Sequence, residues 1–219
     1  MKVRFSKWAE AFIIMDNGHH LRLMPHQKMI LDHIFTPDKQ GKLPYDTIIY
    51  SAVKKSGKTA VSSMIVDYWA YNNPNDEIIL CAYKRDQAVS KAFREAKRFI
   101  ARNKVLKAEV VRTSDERLEL KNGTIITAIP TDGPAGEAGS NHGLTVWDEL
   151  WGFTSERDRL LYEELTPVPT RLNSIRFIST YAGFTGESKL LEALYHEIFD
   201  DNDEVKPGVE RPLGDDLPC

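Results

Sequence analysis

Cysteine is scarce in this chain. Only Cys81 and Cys219 occur among its 219 residues, which excludes a disulfide framework and a cysteine metal cluster. Cys81 stands in the apolar run Ile78-Ile79-Leu80-Cys81-Ala82 and reads as a small core residue. Long hydrophobic runs are missing as well. No stretch approaches the roughly 18 apolar residues of a membrane span, and Met1-Lys2-Val3-Arg4 does not lead into the apolar segment of a signal peptide. A cytoplasmic protein with no membrane partner is therefore expected. Net charge is small, −3, so the composition carries no global nucleic-acid signal. No internal repeat is present, which removes solenoids and propellers.

Charge is nevertheless unevenly placed. Residues 200–219 hold seven acids (Asp200, Asp201, Asp203, Glu204, Glu210, Asp215, Asp216) against Lys206 and Arg211. With Pro207, Pro212 and Pro218 and no hydrophobic period, this segment reads as an acidic linker. A chain ending there is expected to be a domain cut from a longer protein. Residues 1–199, with a formal charge of +2, read as one domain with a single core.

Periodicity places a first helix among residues 1–20, a second from Pro25, and further helices over 57–72, 85–102, 156–165 and 186–199. Strands are expected at 46–53, 77–83, 108–112, 116–120, 124–129, 144–147 and 174–181, with Asn122-Gly123 as a hairpin turn. Strands alternating with helices argue a mainly parallel α/β sheet, with the hairpin as an antiparallel addition. On the 85–102 helix, Lys91, Arg94, Arg98 and Arg102 fall opposite the apolar face. This stripe is either a solvated face or a surface for DNA phosphates.

The chemistry centres on Ile48-Ile49-Tyr50-Ser51-Ala52-Val53-Lys54-Lys55-Ser56-Gly57-Lys58-Thr59. An apolar strand, a short loop and Gly-Lys-Thr opening a helix form the layout of a phosphate-binding P-loop, whose backbone N–H groups and helix dipole face an anion. Lys58 would reach the β- and γ-phosphates and Thr59 would bind Mg²⁺. The pattern's first glycine is replaced by Ala52; the bland alternative is a charged surface turn. Downstream, Leu144-Thr145-Val146-Trp147-Asp148-Glu149 is an apolar strand ending in two acids. Asp148 suits Mg²⁺, and Glu149 suits a general base that deprotonates water in line with the γ-phosphate. A third strand ends in Ser179-Thr180, whose hydroxyls would sense loss of that phosphate.

Assembled in this order, the motifs resemble the ATPase domain of the large terminase subunit, the DNA-packaging motor of tailed bacteriophages, from about Leu21 to Phe199. Leu23-Met24-Pro25-His26-Gln27 is similar to its adenine-recognition motif, with Gln27 on the base. Lys54-Lys55-Ser56-Gly57-Lys58-Thr59 is similar to its variant P-loop, Tyr83-Lys84-Arg85-Asp86-Gln87-Ala88 to the segment after its second strand, Val146-Trp147-Asp148-Glu149 to its acidic motif, and Ser179-Thr180-Tyr181-Ala182-Gly183 to its coupling motif.

The resemblance implies a RecA/ASCE-like P-loop NTPase using ATP and Mg²⁺. Lys55, Ser56, Gly57, Lys58 and Thr59 would line the nucleotide. The implied partners are double-stranded DNA, a portal protein, a small terminase subunit and further copies in a ring, in the host cytoplasm and transiently at the procapsid portal. Lys54 stands where many members carry an arginine toward the γ-phosphate; lysine keeps the charge and loses the bidentate fork. The segment Ser140-Asn141-His142-Gly143 lacks the arginine that members often donate to a neighbouring subunit, leaving Arg157, Arg159 and Arg171 as candidates. Nuclease activity, which belongs to a domain after the linker, is not expected from these residues. The rival readings are a superfamily-2-like helicase, which needs a second RecA-like domain, and a nucleotide-binding module without catalysis.

Overall fold

Residues of the central strands point alternately into two apolar clusters, and that alternation creates a three-layered α/β/α structure. The computed structural model describes residues 3–82, 91–130, 140–181, 186–200, 202, 204–207 and 209. The strands are β1 (Thr47–Ser51), β2 (Glu77–Ala82), β3 (Val110–Thr113), β4 (Arg117–Leu120), β5 (Ile125–Pro130), β6 (Leu144–Asp148) and β7 (Ile175–Thr180). They form one seven-stranded sheet in the order β1-β7-β6-β2-β5-β4-β3. Pairing from β1 through β5 is parallel; β4 and β3 continue it antiparallel.

The helices are α1 (Phe5–Phe12), α2 (Pro25–Ile34), α3 (Lys58–Asn72), α4 (Lys91–Arg102), α5 (Lys104–Ala108), α6 (Glu156–Glu164) and α7 (Lys189–Ile198). On one face, Ile78, Leu80, Val146 and Phe177 join side chains of α1 to α5, including Trp8, Ile65, Trp69 and Phe93. On the other, Ile79, Cys81, Trp147 and Ile178 meet Leu150, Phe153, Tyr162 and Leu191. Strands buried on both sides explain why β6 and β7 read as continuous apolar runs instead of alternating ones. Cys81 is a fully buried core residue, as expected.

Two local expectations are corrected. Residues Lys104–Ala108 are helical, so the strand expected from Ala108 begins at Val110. The cause is Asn103, whose side-chain oxygen accepts from the N–H groups of Val105 (2.9 Å) and Leu106 (3.2 Å) as an N-cap. The hairpin at Asn122-Gly123 is present, but its second strand, β5, belongs to the parallel body; β4 and β3 are the antiparallel addition. Gly123 takes φ +84°, and its N–H donates to Leu120 O while Leu120 N–H donates to Thr124 O. That is a three-residue loop with a bulge glycine.

Residues 83–90, which hold the motif Tyr83–Ala88, lie outside the described residues, as do 131–139, 182–185 with Gly183, and 210–219. Among the described residues no helix is long and apolar enough to cross a membrane.

Candidate active site

Three loops meet at the C-terminal ends of the adjacent parallel strands β1, β7 and β6, the edge where α/β sheets bind ligands. After β1 the chain leaves the sheet at Ala52, whose N–H still donates to Thr180 O at 3.1 Å. The loop then coils tightly. Lys55 sits at φ +67° and Gly57 at φ +85°, directly before α3; at 57 a side chain would be strained by this backbone alone. Lys58 is almost fully buried, at 4% exposure. Its ammonium donates to Ala52 O (3.0 Å) and Val53 O (3.1 Å) and lies 3.9 Å from Glu149 Oε1. The cation is thus held at the centre of the loop by carbonyls that an anionic ligand can replace.

Asp148 ends β6 beside Ser179 of β7, and the Ser179 hydroxyl donates to Asp148 Oδ1 at 2.9 Å. Burial pushes the Asp148 carboxyl up, opposed by the Ser179 hydrogen bond and by the charges of Lys91 and Lys58. A nearby cation of higher charge would restore the carboxylate form. Glu149 departs from the strand at φ +61°, a left-handed conformation that costs a non-glycine residue about 1–3 kcal/mol. Its N–H is anchored on Ser179 O at 2.7 Å, and its Oε2 accepts from the Trp151 indole at 2.9 Å. Strain at Lys55 and at Glu149 places two of the three non-glycine positive-φ residues of the described chain in this one site.

No family model matches the chain, and no curated protein matches it significantly. Solved structures do. The crystal structure of the HK97 bacteriophage large terminase superposes with a TM-score of 0.70 at 22% identity, over 88% of this chain and 40% of that one. A mutant of the Thermus phage P74-26 large terminase ATPase domain gives 0.55 at 13% identity, over 86% of this chain and 77% of that one. This chain has the fold of a phage large-terminase ATPase domain. It spans 40% of the HK97 terminase chain, and at these identities the likeness concerns architecture.

On the terminase fold, the residues singled out in the sequence can be placed one by one. Ser56, Gly57, Lys58, Thr59, Asp148, Glu149, Ser179 and Thr180 come together. Lys54 joins them, its ammonium 4.6 Å from the Tyr181 ring centroid. Lys55 is exposed at the loop's outer bend. Gln27 lies on α2, where its Oε1 accepts from the Met24 N–H at 3.0 Å. Its side chain also lies near enough to the Tyr50 hydroxyl on β1 to oppose the upward push of burial on that phenol, so α2 lies against the strand that feeds the loop. Ser179 touches the acid directly, whereas Thr180 is turned to the backbone, donating to Tyr181 O and accepting from the Trp151 N–H.

Arg171 does not fit a residue offered to a neighbour. It binds Asp76 Oδ1 at 2.7 Å and Asn141 O at 2.6 Å, at the opposite, N-terminal edge of the strands. Arg159 pairs with Glu156 and Glu163 along α6. The basic stripe is divided: Arg98 and Arg102 pair with Glu95, and Arg102 also with Asp16, while Lys91 lies close enough to Asp148 to lower its pKa. Sequence reasoning missed Lys91, Trp151 and Tyr181 as members of the site. Tyr181 was within a quoted motif, but nothing in its spacing announces an aromatic ring beneath two lysines.

Two features fit the groups that such a fold uses. The Ser56 hydroxyl oxygen is buried and has no partner, an acceptor and donor left for a ligand in the loop. The Asp148 carboxylate, held by Ser179, is an oxygen donor of the kind Mg²⁺ takes, one or two from the protein together with phosphates and water.

Proposed function

We propose that this chain is the motor domain of a large terminase subunit, hydrolysing ATP with Mg²⁺ to drive double-stranded DNA into a procapsid. The observation that carries the reading is the convergence of Lys58 and Glu149, 3.9 Å apart, with Asp148 held by Ser179, at the ends of three adjacent parallel strands. A charged surface turn would not bury its lysine or strain the residue after the neighbouring acid. Lys58 and the N–H groups of residues 56–59 stabilise the charge on the transferring phosphoryl group. Thr59 and Asp148 would hold Mg²⁺, which when bound neutralises charge on the β- and γ-phosphates. Glu149 takes the proton from the attacking water, and Gln27 contacts adenine. Lys54 approaches the γ-phosphate from the Tyr181 side.

Ser179, bonded to the Asp148 carboxylate, and Thr180 at the end of β7 couple the cycle to motion. DNA is held through its phosphates, because packaging is indifferent to sequence. A portal protein, a small terminase subunit and a ring of like chains complete the assembly. The test is nucleotide binding and ATP turnover with Mg²⁺ in two variants. Glu149→Gln keeps ATP binding and loses about 10²–10⁴ in kcat. Lys58→Ala loses binding itself. Turnover by Glu149→Gln at the unaltered rate would remove Glu149 from the reaction.

A further inference from the structure

The candidate base is held by a side chain of the turn that it opens. Glu149 has one carboxylate oxygen 3.9 Å from Lys58 and the other on the indole N–H of Trp151 at 2.9 Å. Trp151 sits in the 3-10 turn Leu150–Gly152, and its backbone N–H points to the Thr180 hydroxyl at 3.4 Å. Its ring lies 5.0 Å from the Tyr181 ring, and the Tyr181 ring carries the ammonium groups of Lys54 at 4.6 Å and Lys58 at 5.7 Å. Two aromatic side chains therefore tie together the base, both lysines and the end of β7.

We infer that Trp151 is the positioning residue of Glu149. Its indole fixes Oε2 and so directs Oε1 toward Lys58 and the place of the water. Its tilted ring contact with Tyr181, the residue after β7, makes that orientation depend on β7. The inference rests on the ATPase reading for its catalytic consequence, but the contact itself is independent of turnover. A residue in the left-handed conformation with a flexible side chain has several rotamers open to it. A charge-assisted hydrogen bond from a ring anchored at two further points selects one of them. The remaining tryptophans, Trp8, Trp69 and Trp147, are buried at 4%, 2% and 0% exposure, whereas Trp151 is partly exposed. The indole N–H groups of Trp69 and Trp147 donate to Asp76 and Thr145; that of Trp151 donates to Glu149 and so reports on the site.

Two measurements test this. The first is the indole N–H spectrum of ¹⁵N-labelled protein, in which Trp151→Phe assigns one signal by its loss. Glu149→Ala is expected to move that signal upfield, toward a weaker hydrogen bond, and to leave the other indoles in place. The second is steady-state ATPase kinetics of Trp151→Phe, which keeps an aromatic ring toward Tyr181 and removes the N–H donor together with part of the indole's contact area. With its melting temperature retained, kcat is expected to fall about tenfold to a hundredfold, the worth of one hydrogen bond to a charged group. KM for ATP stays within about threefold, because the lost interaction orients the base and not the nucleotide. An unmoved indole signal in Glu149→Ala, or an unaltered kcat in Trp151→Phe, overturns the inference. Absence of hydrolysis in the unaltered protein instead overturns the ATPase reading, and it is told apart because the indole signal is read without turnover.

Discussion

Among the described residues, Asp67 is the ionisable side chain the fold satisfies least. It lies inside α3 at 0% exposure, and neither carboxylate oxygen has a hydrogen-bond partner. Burial, reinforced by the charge of Glu95, pushes its pKa well above 3.8. The sign of the linkage follows. A carboxyl whose folded pKa is raised holds its proton in the native state after the unfolded chain has released its own. Its favourable contribution is complete below the unfolded value of about 3.9 and is lost progressively as pH rises toward the folded value. Asp67→Asn, which keeps the shape and removes the titration, should therefore stabilise the protein increasingly as pH rises above about 4. Thermal melts of both proteins at pH 5 and pH 8 check this. An equal difference at the two pH values would mean that Asp67 is as easily ionised in the fold as out of it. Nothing in the sequence marks this residue, because an acid at a helix position reads the same whether solvated or buried; what singles it out is that α3 is covered on nearly every side, by α1, α4 and the sheet.

At the scale of elements, the alternation of strands and helices was legible because buried strands and amphipathic helices leave different periods in the sequence. β2, β6 and β7 fell within a residue or two of their expected ends. The α5 helix was missed because five residues carry too little period to recognise, and only the Asn103 cap marks it. The order β1-β7-β6 was not readable from periodicity, yet it is what sets Ser179 beside Asp148. Arg171 shows the same limit. A lone arginine in the loop between α6 and β7 is chemically indistinguishable from an arginine meant for a neighbour until the fold brings it to Asp76. That carboxylate also accepts from the Trp69 indole at 2.8 Å and is 5% exposed. Arg171→Ala strands a buried charge, so it should destabilise the fold by about 3 kcal/mol, near 6–12 °C in melting temperature for a chain of this size. A melting curve unchanged by the substitution would show that Asp76 is satisfied without it.

For the molecule as a whole, the proposed ring would draw on an arginine that serves the adjacent copy, and Arg171 is instead bound to Asp76. Arg157 and Arg159 remain, both exposed on α6. The ion pairs of Arg159 with Glu156 and Glu163 lie within one surface helix, between exposed groups that water and salt screen, so each contributes little. Exchanging them for contacts across an interface is therefore inexpensive, and removing them leaves the fold intact. Arg157→Ala and Arg159→Ala should each shift the melting temperature by less than about 3 °C, in contrast to Arg171→Ala. Turnover per chain should rise with protein concentration in the unaltered protein, in step with assembly followed by sedimentation. If one of these arginines completes the neighbour's site, its variant still assembles but loses that rise, while turnover at high dilution stays the same. Concentration-dependent turnover that survives in both variants would place the donated charge on another element. Turnover independent of concentration in the unaltered chain would show that a single copy holds its whole catalytic apparatus.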